Sequence, residues 1–152
     1  MLEKLLSAED EVDFEKAGIK HSTLITRTDK KGIITFVSKA FRDITLYSKE
    51  ELIGKPHSVV RHPFMPKAVF KRMWETIKQA KSWSGVILNK RKDGKHYWVK
   101  VHINPIDKNG DIVNEPSKIE GFIAFGKEAT GEEINKAVKI YEKLKALELK
   151  NK

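Results

Sequence analysis

Trp83-Ser84-Gly85-Val86-Ile87-Leu88-Asn89-Lys90-Arg91-Lys92-Asp93-Gly94-Lys95-His96-Tyr97-Trp98-Val99-Lys100-Val101-His102-Ile103 is the stretch on which the fold turns. Asp93-Gly94 suits a two-residue turn that needs positive φ, and the runs on either side are rich in β-branched and aromatic residues. They predict a hairpin of strands over 83–92 and 95–106. In the second strand Tyr97, Val99, Val101 and Ile103 share one face, opposite His96, Trp98, Lys100 and His102.

Downstream, a polar loop with Asn109-Gly110 leads to a third strand over 119–127. Thr130 then opens a helix whose apolar positions Ile134, Ala137, Val138, Tyr141, Leu144 and Leu147 recur every three or four residues. Upstream, Pro66 starts a helix to about Ala80 with Val69, Met73 and Ile77 as its stripe, flanked by Phe70 and Trp74. Short helices carry Ala40, Phe41, Ile44 and Leu46, then residues 47–54. Before them, strands over 23–28 and 33–37 flank the turn Asp29-Lys30-Lys31-Gly32. Residues 2–17 read as a helix, with Ser7 and Asp10 spaced as a capping box and Gly18 as its stop.

Two strands, a helical middle and three strands make an α+β domain: a five-stranded antiparallel sheet with short helices over one face and helices at both ends. The expected divisions are 1–20, an N-terminal helical cap; 21–128, the core domain; and 129–152, a C-terminal amphipathic helix. At 152 residues one core is the default.

The chain has no cysteine, which excludes disulfides, thiolate metal sites, iron–sulfur clusters and photochemistry that adds a flavin to a thiol. Apolar runs are four residues or fewer and the N-terminus lacks a signal-peptide pattern, so a cytoplasmic protein with no direct membrane insertion is expected. The net charge of +9 is uneven: residues 1–20 carry −3, residues 129–152 carry +2, and the middle +10. No basic-aromatic pattern supports nucleic-acid binding. The sequence lacks GxGxxG, GxxxxGK[ST], HExxH and GxSxG, and no acidic pair sits among apolar residues, so no enzyme activity is expected. Asp107-Lys108-Asn109-Gly110-Asp111 opens like a calcium loop, but Lys118 stands where the closing Glu belongs, so it reads as a turn. The pairs His57/His62 and His96/His102 fall short of a protein-ligated metal site.

Gly54-Lys55-Pro56-His57-Ser58-Val59-Val60-Arg61-His62-Pro63-Phe64-Met65-Pro66-Lys67, with Trp74, Trp83-Ser84-Gly85 and the 90–99 hairpin, is the most specific pattern. It resembles the PAS domain of Aer-type energy-taxis (aerotaxis) receptors, with their RHPxMP, WSG and NRRKxGxxYWV signatures, over residues 22–128. The resemblance implies non-covalent FAD and redox sensing in energy taxis. It implies cofactor contacts at Arg61, His62, Trp74 and Asn89, with Asn89 on the flavin ring edge and Trp74 beside the ring. Strand alternation adds Tyr97, Val99 and Val101 as the cavity wall. Solvent for Asn89, plain core packing for Trp74 and loop anchoring for Arg61 and His62 are the competing roles. Two departures stand out: Phe64 replaces an acidic residue, and Ser38-Lys39 replaces Asn-Asp.

Residues 129–152 show no membrane span or signalling domain, so an output on another chain is expected; the resemblance implies either a covalent receptor domain, as in single-chain members, or a separate receptor, as in split systems. The Met start and the short length point to a free-standing partner of a separate methyl-accepting chemotaxis receptor, with the C-terminal helix expected to make a homodimer or dock that receptor in preference to the alternative of simply capping the sheet. The alternatives are a haem-binding PAS gas sensor, with His57 or His62 as axial ligand, and a ligand-free PAS dimerisation or interaction module.

Overall fold

The computed structural model describes residues 6–151. Its strands are β1 (Leu24–Asp29), β2 (Ile34–Val37), β3 (Trp83–Lys90), β4 (His96–Ile106) and β5 (Gly121–Glu128). Its helices are α1 (Lys39–Thr45), α2 (Lys49–Leu52), α3 (Lys67–Ile77) and α4 (Gly131–Lys150). The five strands form one antiparallel sheet in the order β2-β1-β5-β4-β3. The α+β architecture, both hairpins and the capped C-terminal helix follow the sequence reading.

Register decides which side chains meet. Thr26 and Ile103 both pair with Ala124, Thr28 with Phe122, Ile87 with Val99 and Asn89 with Tyr97. Directly opposed residues share a face, so one face of the sheet carries all of these. Helices α1–α3 lie over that face. The other face takes α4, where Tyr141 stacks on Trp98 at 6.3 Å and donates its hydroxyl to the Val86 carbonyl.

Local chemistry places the helices. Ser38 caps α1 by accepting from Phe41 N, and the same hydroxyl accepts from Ile25 N, tying α1 to β1. Ser48/Glu51 and Thr130/Glu133 form reciprocal capping boxes on α2 and α4. In the first hairpin turn the Asp29 carboxylate accepts from Lys31 N and Ile33 N, and Gly32 takes φ +86°. The Asp107–Asp111 segment is a turn closed in the same way, with Asp107 Oδ1 accepting from Asn109 N and Asp111 N.

A segment from Gly54 to Met65 guards both outer strands. Gly54 N donates to Ile34 O, and Ile34 N to Lys55 O, both at 2.9 Å, on the free edge of β2. A 3₁₀ turn, His57–Val60, follows. Arg61 then bridges Asn89, His62 N donates to Leu88 O, and Leu88 N meets the Met65 sulfur, all on the free edge of β3.

The N-terminal segment departs from expectation. Instead of a helix over 2–17 there is a 3₁₀ turn at Ala8–Asp10, capped by Ser7, then a run of turns that ends at Gly18; residues 2–5 lie outside the described ones. Val12 N donates to His96 O at 2.8 Å and Phe14 packs edge-on against Tyr97. Extended pairing with β4 and burial of Phe14 outweigh the local capping signals.

Candidate ligand cavity

Between the sheet and α3 lies a cavity of about 220 Å³. Ile87, Val101, Ile103, Phe122 and Ala124 form its floor, and α3 contributes Phe70, Met73, Trp74 and Ile77 as its roof. This follows from period: α3 repeats its apolar face every three to four residues while the strands alternate. His57, Ser58 and Arg61 from the edge-guarding segment close one side, and Lys31 and Gly32 from the first hairpin turn stand at the rim.

Polar groups are few and each is constrained. The Asn89 side chain is buried and lines the cavity. His57 Nε2 lies 3.0 Å from Thr26 Oγ1, and the imidazole packs against Phe41. Burial drives its pKa below the ordinary histidine value, and the nearby Arg61 charge adds to this, so the ring is neutral at pH 7. The Arg61 guanidinium carbon sits 3.6 Å from the centre of the Phe70 ring. Its Nε is buried without a hydrogen-bond partner, no described carboxylate pairs with it, and burial lowers its pKa from the usual guanidinium value. The site therefore presents an amide, a neutral imidazole and an uncompensated cation to an apolar slot.

Trp74 stands at the rim in a tight setting. Its ring is edge-on to Phe122 at 5.5 Å, with Lys78 Nζ 5.5 Å from its centre. A Cβ on Gly32 would come within 2.9 Å of Trp74 Cζ2, so the glycine makes room for the indole.

Of the residues singled out from sequence, Arg61, Trp74, Asn89 and Val101 line this cavity; His62, Tyr97 and Val99 do not. Residues 61–65 cross the edge of β3, so consecutive side chains part company: Arg61 faces the cavity, while the His62 ring lies 6.5 Å from that of His96 and accepts from Phe64 N. Burial, then His96 and Lys90, lowers the His62 pKa. Tyr97 and Val99 share the cavity face but sit further along β4, sealed in the core at 0% and 2% exposure. The Tyr97 hydroxyl makes no hydrogen bond of normal geometry. Burial pushes its pKa up, and the Asn89 amide offsets only part of that. Phe64, which stands in place of an acid, is buried in the core rather than lining the cavity. Sequence reading passed over Thr26, Phe70, Met73, Phe122 and Ala124 as cavity residues; the pairing of β1 and β4 with β5 is the signal that gathers the sheet members among them.

The sequence profile of the PAS fold matches residues 34–115. The chain belongs to the PAS family. Over 125 residues, 82% of its length, it is 40% identical to the aerotaxis receptor of Escherichia coli (strain K12), of which it spans 23%. It is thus a PAS domain of the aerotaxis-receptor type. Over 104 residues, 68% of its length, it is 28% identical to a nitrogen fixation regulatory protein of Klebsiella pneumoniae, of which it spans 20%. The PAS chain therefore spans about a quarter or less of these curated relatives. Among solved structures, a light-oxygen-voltage domain studied with a flavin analogue superimposes with a TM-score of 0.64 at 17% identity, covering 86% of this chain and 91% of that one. The dark structure of the Aureochrome1 light-oxygen-voltage domain gives 0.63 at 18%, covering 86% and 96%. These two show likeness of fold. No described helix is long and apolar enough to cross a membrane.

Proposed function

We propose that this PAS protein is a redox sensor that binds FAD non-covalently and passes its state to a methyl-accepting chemotaxis receptor on a separate chain, working in the cytoplasm as a homodimer. The observation that carries the reading is the convergence of the Asn89 amide and the unpaired Arg61 guanidinium on an apolar cavity. A neutral apolar ligand leaves the buried Arg61 Nε unsatisfied and the Asn89 amide unused; a planar ring with a polar edge and anionic character engages both. The kinship with an aerotaxis receptor and the fold neighbour studied with a flavin analogue support the choice.

The cavity is smaller than the roughly 300–1,000 Å³ that encloses a drug-sized ligand. A flat ring system would fit such a slot, and Lys31 at the rim would supply a cation for a phosphate. Bound flavin supplies a reversible change of charge and hydrogen-bond polarity at its ring edge. Around it the chain's own groups act. The Asn89 amide offers either a donor or an acceptor, so it can turn to suit either ring state. Arg61 keeps a fixed positive charge that favours an anionic ring. Its backbone bridge to Asn89 links movement of β3 to residues 61–65. With no cysteine in the chain, no flavin–thiol bond can form.

A visible spectrum of freshly purified protein, repeated in Asn89→Ala and Trp74→Phe, tests this. Flavin bands in the wild type and their loss in both variants are expected. A colourless protein that takes up no added FAD leaves the ligand-free module, and a Soret band replaces flavin by haem.

A further inference from the structure

Helix α3, the roof of the cavity, begins without help from its own sequence. Its N-cap is Pro66, which offers no side-chain acceptor, whereas α1, α2 and α4 are capped by Ser38, Ser48 and Thr130. The acceptor comes from 81 residues away: Oε1 of Glu148, in the last turn of α4, accepts from Lys67 N at 2.7 Å. One turn earlier, on the same side of α4, Lys145 Nζ donates to the Pro63 carbonyl at 3.2 Å. A carboxylate at this position also meets the positive end of the α3 dipole. The second oxygen of Glu148 is buried with no partner, so the carboxylate is held there against its own solvation.

Both elements that α4 grips are elements that build the cavity. α3 carries Phe70, Met73 and Trp74, and the chain leading to Pro63 carries Arg61. Higher up, α4 is fixed separately, by Tyr141 on Trp98 and Val86. The two contacts to α3 and Pro63 lie beyond this anchor, in turns where Leu144 also packs against the core. We propose that Glu148 and Lys145 form a latch through which the end of the C-terminal helix positions α3 and residues 61–65, so that filling of the cavity and docking of residues 142–150 are reciprocally linked. A shift of Lys67 toward or away from Glu148 changes the hold on α4, and by linkage the hold on α4 changes what the cavity accepts. Neither residue lines the cavity; both are positioning residues. The latch does not depend on which ligand the cavity takes.

Amide exchange on the full chain tests it in two arms. In Glu148→Ala, exchange at residues 67–70 and 145–150 rises about fivefold, the loss expected of one N-cap, while residues 131–141 keep their protection. Glu148→Gln, which keeps an acceptor oxygen, restores most of it. Unchanged exchange at 67–70 in Glu148→Ala overturns the latch. The second arm fills the cavity from the sheet with Ala124→Leu, which needs no ligand, and separately with added FAD. Altered exchange at 145–150 in Ala124→Leu, abolished when Glu148→Ala is added, supports the linkage. No change there in Ala124→Leu overturns it, whether or not FAD binds.

Discussion

Replacing Arg61 by methionine should move stability and ligand affinity in opposite directions. In the free protein the guanidinium is half-buried, its Nε has no partner and its one described contact is the Phe70 face at 3.6 Å. An unsatisfied buried donor costs about 1–3 kcal/mol, and partial exposure puts this one at the low end. The cation–π contact offsets about 0.5–1 kcal/mol. Methionine keeps an unbranched apolar stem against Phe70 and removes the stranded donor. The net expectation is a gain of between zero and about 1 kcal/mol, or a melting temperature raised by at most about 2–4 °C for a chain of this size. The same change removes a charge-assisted hydrogen bond of about 1.5–3 kcal/mol to an anionic ligand, so FAD affinity falls about 10- to 100-fold. Arg61→Lys, a point charge without the planar fork, should fall between. Scanning calorimetry of ligand-free protein and a titration followed by flavin fluorescence measure the two effects. If Arg61→Met destabilises the free protein by more than about 1 kcal/mol and leaves affinity unchanged, the side chain is a loop anchor and has no part in holding a ligand.

Acid should destabilise the fold in the histidine range. His57, His62 and His96 all have pKa values lowered mainly by burial, so below about pH 6.5 the unfolded chain binds protons that the native state refuses. Stability then drops by up to about 1.4 kcal/mol per pH unit for each histidine whose proton uptake is suppressed, with His57, hydrogen-bonded at the cavity wall, the main contributor. Melts from pH 7 to pH 5 should show this, and a slope that does not flatten in His57→Gln refutes the assignment. Gly32→Ala forces φ +86° on an L-residue and drives a methyl into Trp74. A loss of about 1–2 kcal/mol with a red-shifted tryptophan emission is expected, and an unchanged melt would show that the turn yields freely. Tyr141→Phe keeps the stack on Trp98 but strands the Val86 carbonyl, so the melting temperature should fall about 2–4 °C. An equal melt would mean that water replaces the hydroxyl.

Much of the fold could be read from the chain because its signals are local. Asp93-Gly94 and Asp29-Lys30-Lys31-Gly32 mark the hairpins, and Thr130 with Glu133 marks the start of α4. The N-terminal segment misled because capping residues report only what the backbone prefers alone. Its actual partner is His96, reached through Val12 N. For the cavity, alternation identified the right face of β4 but not where along the strand the space ends. Val101 lies within it, and Tyr97 and Val99 lie beyond, in solid core. The histidines show a similar limit: the resemblance implied Arg61 together with His62, yet a chain crossing a sheet edge sends neighbours to opposite sides. His57 is the histidine that faces in.

The segment from Gly54 to Met65 has one more effect. By pairing with Ile34 on β2 and with Leu88 and Asn89 on β3, it covers one end of each outer edge, where other chains could otherwise add themselves and aggregates grow. Because the same dozen residues also hold His57 and Arg61, a substitution that loosens the wall of the cavity also uncovers a template for fibril-like association.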